Sequence, residues 1–466
     1  MIFNPFLKKF KIFVLFIIAI LIRVGLFYYI GETLLNSVEI SGPTTSFLRL
    51  KEAITYKQFG LSPYYGDSIH ENPLLIFIAE LLKEYNFGLF LLYLLSDIVT
   101  SLFLYRSAAL FFKSSRLLES FYYESIQEDY KHILAKLSSP SKASRAWLSE
   151  RLELYALIQV SSSTDVLSFV LFCYLFNPYI ILSTVARSSV VFINTSLMMA
   201  FYFALAGEFL FTTLSVALAT WFNLYSIILL VPATLLLLSP KIHQNTEPPF
   251  KFLSNLPNFL LVGAFFFLWI CLLTYVSFVL SGSWDFIEET FAFPLTIPDL
   301  TPNIGLFWYM FSEIFEQFRA YFIWAVHILF WTFIIPLTIK YRDNPSFLFL
   351  MFIGLLNTCK IYPTLGDLGF FLSLLSLWRH LFLYTKSLFL VGSIYLHSSV
   401  LLPTTWYMWI HRCSGNANFY YAQTLLISAA TLILMWDLTI AYSRRKFDLE
   451  KGMFVRNSNL KIERVM

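Results

Sequence analysis

The stretch Ile12–Gly31, IFVLFIIAILIRVGLFYYIG, follows Lys8, Lys9 and Lys11 and contains one charged residue, Arg23. About 20 apolar residues in a helix cross the hydrocarbon of a bilayer. A cleaved secretory signal would show a shorter apolar core and a small-x-small cleavage site. This run has neither, so it reads as an uncleaved signal anchor with a cytosolic N-terminus. The rest of the chain agrees. Of 466 residues 58% are hydrophobic and only 13% charged, with a mean hydropathy of +0.67. Soluble domains carry roughly a quarter charged residues, and a chain this poor in charge cannot clothe a globule in polar surface. The composition predicts an all-α polytopic membrane protein, a single multi-span domain over residues 1–466.

Further apolar runs begin near Asn86, Thr164, Val190, Gly207, Phe222, Leu256, Ala320, Ser346, Gly366, Leu388 and Phe419, which gives about twelve transmembrane helices. The run from Phe209 to Ser239 is divided at Trp221–Asn223. An even count puts both termini on one side, with the loops 106–163, 240–255, 340–345 and 379–387 and the tail 442–466. Those segments and the first eleven residues hold 24 of the 33 Lys and Arg. The positive-inside rule therefore assigns them to the cytosol. The segments 33–75, 281–305 and 405–418 then face the lumen, and Pro, Gly, Asn and Asp concentrate in all three, as turns require. Loop 106–163 contains the amphipathic pattern RLLESFYYESIQ and reads as a solvated or interfacial helix. The sequon Asn194-Thr195-Ser196 falls inside an apolar run and is not expected to carry glycan.

Chemistry is sparse. The lumenal segment 33–75 offers Glu32 at its edge, then Glu39, Glu52, Asp67 and Glu71, with no D-x-D or D-E pair. Asp67 and Glu71 flank His70, and turn or capping chemistry (YGDS, HENP) accounts for them as well as catalysis does. There is no G-x-S-x-G, no phosphate-cradling glycine loop and no Ser-His-Asp arrangement. Cys173, Cys271, Cys359 and Cys413 lack metal or CxxC spacing; the first three lie in or at the ends of apolar runs and read as small buried hydrophobes, and Cys413 reads as a free thiol rather than one paired with a partner chain. No metal, cofactor or nucleic-acid partner is expected. Asp97, Asp367 and Asp437 lie singly within spans, which raises a transporter reading. Without an internal repeat, hydrogen bonds between helices explain them better, and His327 and His397 are read the same way.

Two stretches suggest ligands. The loop His411–Gln423, HRCSGNANFYYAQ, puts Asn416 and Asn418 at the rim of the last span. They can cap the helix that starts near Phe419, or offer carboxamides to a polar headgroup. Arg412 ranks lower as a phosphate contact, and Phe419, Tyr420 and Tyr421 read as interfacial aromatics. On the cytosolic side, Lys241, Arg342 and Asp343 mark helix ends where anionic phospholipid can sit, or where ordinary charge anchoring suffices.

The irregular stretches SPYYGDSIHENPLL, FNPYIILSTVARSS, SGSWDFI, IPDLTPNIGLFWYMFSEIFEQF, YPTLGD and NANFYYA, taken in this order, resemble the U subunit of the glycosylphosphatidylinositol (GPI) transamidase, the PIG-U family. The run Pro298–Phe318 is the most distinctive. The resemblance implies residence in the endoplasmic reticulum membrane and a helical architecture like that of the polyprenyl-sugar glycosyltransferases (GT-C-like). It implies a non-catalytic place in a complex with the K, T, S and GPAA-type subunits, whose thiol nucleophile belongs to the caspase-like K subunit. It also implies that Asn416 and Asn418, in the family's N-x-N-F stretch, contact the GPI glycolipid. The alternative with the same architecture is a lumenal polyprenyl-phosphate-sugar mannosyltransferase of GPI biosynthesis, using Asp67 or Glu71.

Overall fold

The computed structural model describes residues 5–83, 85–136, 164–244 and 252–451. Residues 137–163 of the expected cytosolic loop and 452–466 of the tail lie outside the described residues, as do 245–251 of the segment 240–255. Among the described residues all regular structure is helical. Six helices of the described residues are long and apolar enough to cross a membrane: Phe10–Leu34, Asn86–Ser115, Leu256–Ser281, Glu316–Tyr341, Leu388–His411 and Ala417–Leu449. Val166–Leu175 and Pro178–Val185 form a seventh if taken together, bent by 45°. The bend follows from sequence. Pro178 opens the second half, and the Asn177 side chain accepts a hydrogen bond from the Tyr179 N–H at 3.0 Å.

Four more apolar helices are shorter: Val190–Ala206, Phe209–Phe222, Leu224–Leu238 and Pro345–Cys359. Against the about twelve spans expected, the described residues thus hold six or seven helices of full spanning length. Local chemistry ends the short ones early. Gly207 terminates the first in a left-handed conformation (φ 80°), and Asn223 breaks the long apolar run where expected, in extended backbone. These short helices make the centre. Pro345–Cys359 is buried along nearly its whole length, whereas Phe10–Leu34 and Leu256–Ser281 have few buried residues and lie at the periphery. Gly366 and Gly369 admit close packing of the helix Leu365–Leu375. A Cβ on Gly366 would stand 2.6 Å from Val190 and 2.7 Å from Ser183.

The charges within spans are tied to one another. Arg23, buried, pairs with Asp97 at 2.6 Å and donates to the Leu175 carbonyl, while Tyr174 donates to Asp97 at 2.7 Å. Asp367 caps its own helix through Thr364 and pairs with Lys360 at 3.0 Å. Asp437 accepts from the backbone N–H groups of Lys386 and Ser387 and from the Ser387 hydroxyl. Each acid is a structural acceptor. Asn194 of the sequon is buried and donates to the Gly366 carbonyl at 3.2 Å, closed to a glycosylating enzyme.

Candidate functional site

The irregular segments interlock at one end of the bundle. Segment 33–75 is more ordered than a loop. It contains the helix Phe47–Gln58, which buries Phe47, Leu50, Ala53 and Ile54 on one face, as helical spacing demands. Arg49 on this helix pairs with Asp299 at 2.7 Å, and Tyr362 donates to the Asp299 carbonyl at 2.8 Å. The Leu365 N–H donates to the Glu39 carbonyl at 2.9 Å. Segments 33–75, 281–305 and 360–367 therefore form one polar cap.

Within this cap Asp67, His70 and Glu71 do not converge. Asp67 is exposed in a turn at φ 54°. Glu71 is buried and accepts from the Ser189 hydroxyl at 2.7 Å; burial lifts its carboxyl to about 8. The His70 ring stacks on Phe293, with centroids 3.4 Å apart. Its Nδ1 lies 3.1 Å from the Glu289 carbonyl and 3.0 Å from the Glu289 carboxylate, so the proton sits on Nδ1. Burial, and then the Arg49 charge, lower the imidazole to about 4, so it is neutral and this contact is a hydrogen bond. The adjoining cavity, lined by His70, Asn223, Tyr225, Lys360 and Tyr362, measures about 20 Å³, room for a single water.

The rim around Asn416 and Asn418 is built differently. The helix Leu388–Trp406 runs on into a π-helical turn, Tyr407–His411, and the Ser414 and Gly415 N–H groups fold back onto the Met408 carbonyl. Cys413 makes the reversal in a left-handed conformation (φ 52°). The Asn416 side-chain oxygen then accepts from the Asn418 N–H at 3.1 Å, capping the last helix, Ala417–Lys451. Asn418 in turn accepts from the phenol of Tyr309. Tyr309 stacks on Tyr421 with centroids 4.5 Å apart, and Tyr421 donates to the Leu306 carbonyl at 3.0 Å. Trp308 packs beside them against Trp409, Tyr420 and Tyr421. Both asparagines are exposed above this aromatic base, and Arg412, also exposed, lies over the Tyr407 ring. The segment Pro298–Phe318 is thus a strap, bound to the first cap through Asp299 and to the last rim through Leu306 and Tyr309. Residues 14–427, the strap among them, match the family model described as "GPI transamidase subunit PIG-U".

The chain belongs to the PIG-U family. It is 32% identical over 453 residues to the "GPI-anchor transamidase component PIGU" of Homo sapiens, covering 94% of this chain and 95% of that protein. It is 29% identical over 433 residues to the "GPI transamidase component GAB1" of Saccharomyces cerevisiae, covering 92% and 94%. Against the "GPI transamidase component GAB1 homolog" of Schizosaccharomyces pombe the identity is 28% over 417 residues, covering 88% and 87%.

In this PIG-U chain one reading of the rim needs correction. Tyr420 is fully buried and Tyr421 partly so, leaving only Phe419 as an outward aromatic, because consecutive helical residues cannot share one face. The basic candidates lie at the other end of the bundle, about 40 Å along the last helix. There Asp343 pairs with Lys446 at 3.2 Å and lies 3.8 Å from Arg342. Lys241 lies on the helix Leu230–Gln244, and its side chain is outside the described residues. Sequence reading missed Tyr309, Arg49 and Asp299 and took Tyr421 for an interfacial aromatic; these residues join segments far apart in the chain.

Proposed function

We propose that this PIG-U chain is the non-catalytic subunit of a GPI transamidase that recognises the GPI glycolipid through Asn416 and Asn418 at the lumenal face. The observation that carries this reading is the rim itself: two exposed carboxamides on a rigid aromatic base, strapped to the polar cap. Recognition needs accessible hydrogen-bonding groups held in place, and that is what the rim supplies. Its setting is the endoplasmic reticulum membrane, with both termini cytosolic and the K, T, S and GPAA-type subunits as partners, the catalytic thiol belonging to K. The short central helices and Leu365–Leu375, added to the long ones, make about twelve spans in a GT-C-like arrangement. Arg342 and Lys241 meet anionic phospholipid at the cytosolic face, with Asp343 acting through the cations it pairs.

The mannosyltransferase alternative is the weaker reading, because one of its two carboxylates is sequestered. A base or metal-holding acid must be charged and open to substrate. Glu71 is buried and protonated at neutral pH, which removes it from that role, and Asp67, exposed in its turn, has the like-charged Glu289 near it. The deciding experiment replaces Asn416 and Asn418 together with Ala in cells lacking the natural subunit. Surface GPI-anchored protein should fall while co-purification of the other subunits is unchanged. Normal anchoring in that variant would remove the rim from the mechanism.

A further inference from the structure

The outer face of the helix Leu388–Trp406 carries polar residues that the bundle does not use. Its inner face is buried at Val391, Tyr395, Ser398 and Leu402, and the Tyr395 hydroxyl lies 2.9 Å from that of Thr431 on the last helix. Turned away from this seam, Leu390, Ser393, His397, Val400 and Thr404 are all exposed. Alternating steps of three and four residues put these five on one stripe. The two histidines that the sequence places within spans therefore differ. His327 is buried, with its Nε2 3.0 Å from the Tyr225 hydroxyl. His397 stands on the outside of the bundle, and its ring has no hydrogen-bond partner among the described residues.

Depth makes that exposure costly. In the span Leu388–His411, His397 lies about 14 Å along the axis from the first residue. Hydrocarbon offers its ring nitrogens nothing to bond, and the side chain is too short to reach a headgroup from there as a lysine does. The neighbouring hydroxyls have no such need, because Ser393 donates to the Phe389 carbonyl and Thr404 to the Val400 carbonyl of their own helix. An ionisable side chain at this depth calls for a partner other than lipid. We infer that the stripe seats a membrane-spanning helix of another subunit, one that sets a carboxylate, carboxamide or hydroxyl opposite His397. Ser393, small and outward, lets a second backbone approach one turn away, and the alternating spacing is that of a helix–helix seam. A second copy of this chain, lying in the same orientation, would set His397 against itself and against hydroxyls already bonded, a poorer match. The inference rests on the reading of the chain as one subunit of a membrane complex, and adds where on this chain a partner helix sits.

The test is made on the complex assembled in cell membranes. A photo-crosslinking residue in place of Val400 should attach to one other subunit. His397→Leu should reduce co-purification of that subunit about 3- to 10-fold, the range for a hydrogen bond between membrane helices, while the abundance of this chain holds. His397→Gln should retain most of it. Ser393→Leu, which fills the space the second backbone needs, should lower it at least as far. Lipid on this face would give no protein adduct at Val400 and full assembly of both leucine substitutions. That result, or an adduct to a second copy of this chain, would overturn the inference and leave the proposed function standing. An adduct to another subunit with undiminished assembly of His397→Leu would overturn the role of the imidazole. Absence of every other transamidase subunit from the purified, unaltered protein would defeat the proposed function itself.

Discussion

The polar cap around His70 and Glu71 and the rim around Asn416 and Asn418 lie at the same end of the bundle, joined by the strap Pro298–Phe318. The cap holds the residues that look catalytic, and apart from Asp67, exposed in its turn, they are turned inward. Glu71 is buried on Ser189, His70 is clamped between Phe293 and Glu289, and Arg49 is bound to Asp299. The rim holds residues with no catalytic appearance, yet both its asparagines stand exposed. A polar group whose valences are met inside the chain serves the fold; one held rigid with a valence left over can serve a ligand. Substitutions in the two regions should therefore fail differently, the first in protein abundance and the second in anchoring.

The largest effect should come from a group wholly committed to the fold. Asp97 is the sharpest case, because Arg23 and Tyr174 both bind it out of contact with solvent. Asp97→Ala leaves a buried guanidinium unpaired, at a cost of about 3–5 kcal/mol. The subunit should be nearly absent from membranes by immunoblot. Replacing both partners, Arg23→Met with Asp97→Leu, should recover much of the loss. Normal abundance of the single variant would break the rule that the comparison proposes.

The cap makes an intermediate prediction through pH. Glu71 is raised by burial from an ordinary 4.5 to about 8. The folded protein keeps this proton where the unfolded chain releases it. Stability from this group is thus fullest below pH 4.5 and declines as pH rises through 8. His70 acts at the other side. Lowered from 6.5 to about 4, it refuses in the folded state a proton that the unfolded chain takes. Its contribution is complete above pH 6.5 and is lost as pH falls through 4. In thermal melts of the solubilised complex, Glu71→Gln should flatten the alkaline decline and leave the acid decline in place. Asp67→Ala with Glu71→Gln should also leave mannose addition to GPI precursors intact. A mannose-deficient intermediate would give the cap the chemistry denied to it here.

Residues that act on their neighbours in sequence were legible from the sequence. Apolar runs placed helix starts at Asn86, Thr164, Val190 and Leu388, where the structure has them, and Asn223 was recognised as a break. Span length was less legible, because hydropathy does not distinguish a short helix enclosed by others from one that meets lipid on its own. The site was half legible. Asn416 and Asn418 stand out as polar residues at a span end. Nothing local reports that Tyr309, 109 residues earlier, fixes the second amide, or that Arg49 meets Asp299 across 250 residues. Glu71 looked like an available acid because its burial depends on Ser189, in a different segment.

The smallest effect lies within the rim and divides its two asparagines. Asn416 is both cap and donor, and Asn→Ser preserves the cap, since a serine hydroxyl accepts from the following turn about as well. Asn416→Ser should therefore leave abundance unchanged and lower anchoring modestly, through one lost amide. Asn418 caps nothing. Its side chain meets the Tyr309 phenol, and serine is too short both to reach it and to offer an amide to a ligand. As an exposed position away from the core it should cost the fold within about 0.5 kcal/mol. Asn418→Ser should thus lower surface GPI-anchored protein more than Asn416→Ser at equal subunit level, measured by flow cytometry against immunoblot. The reverse ranking would shift the outward donor to Asn416 alone. Full anchoring in the double-serine variant would make both residues structural, and the rim would then be no different in kind from the cap.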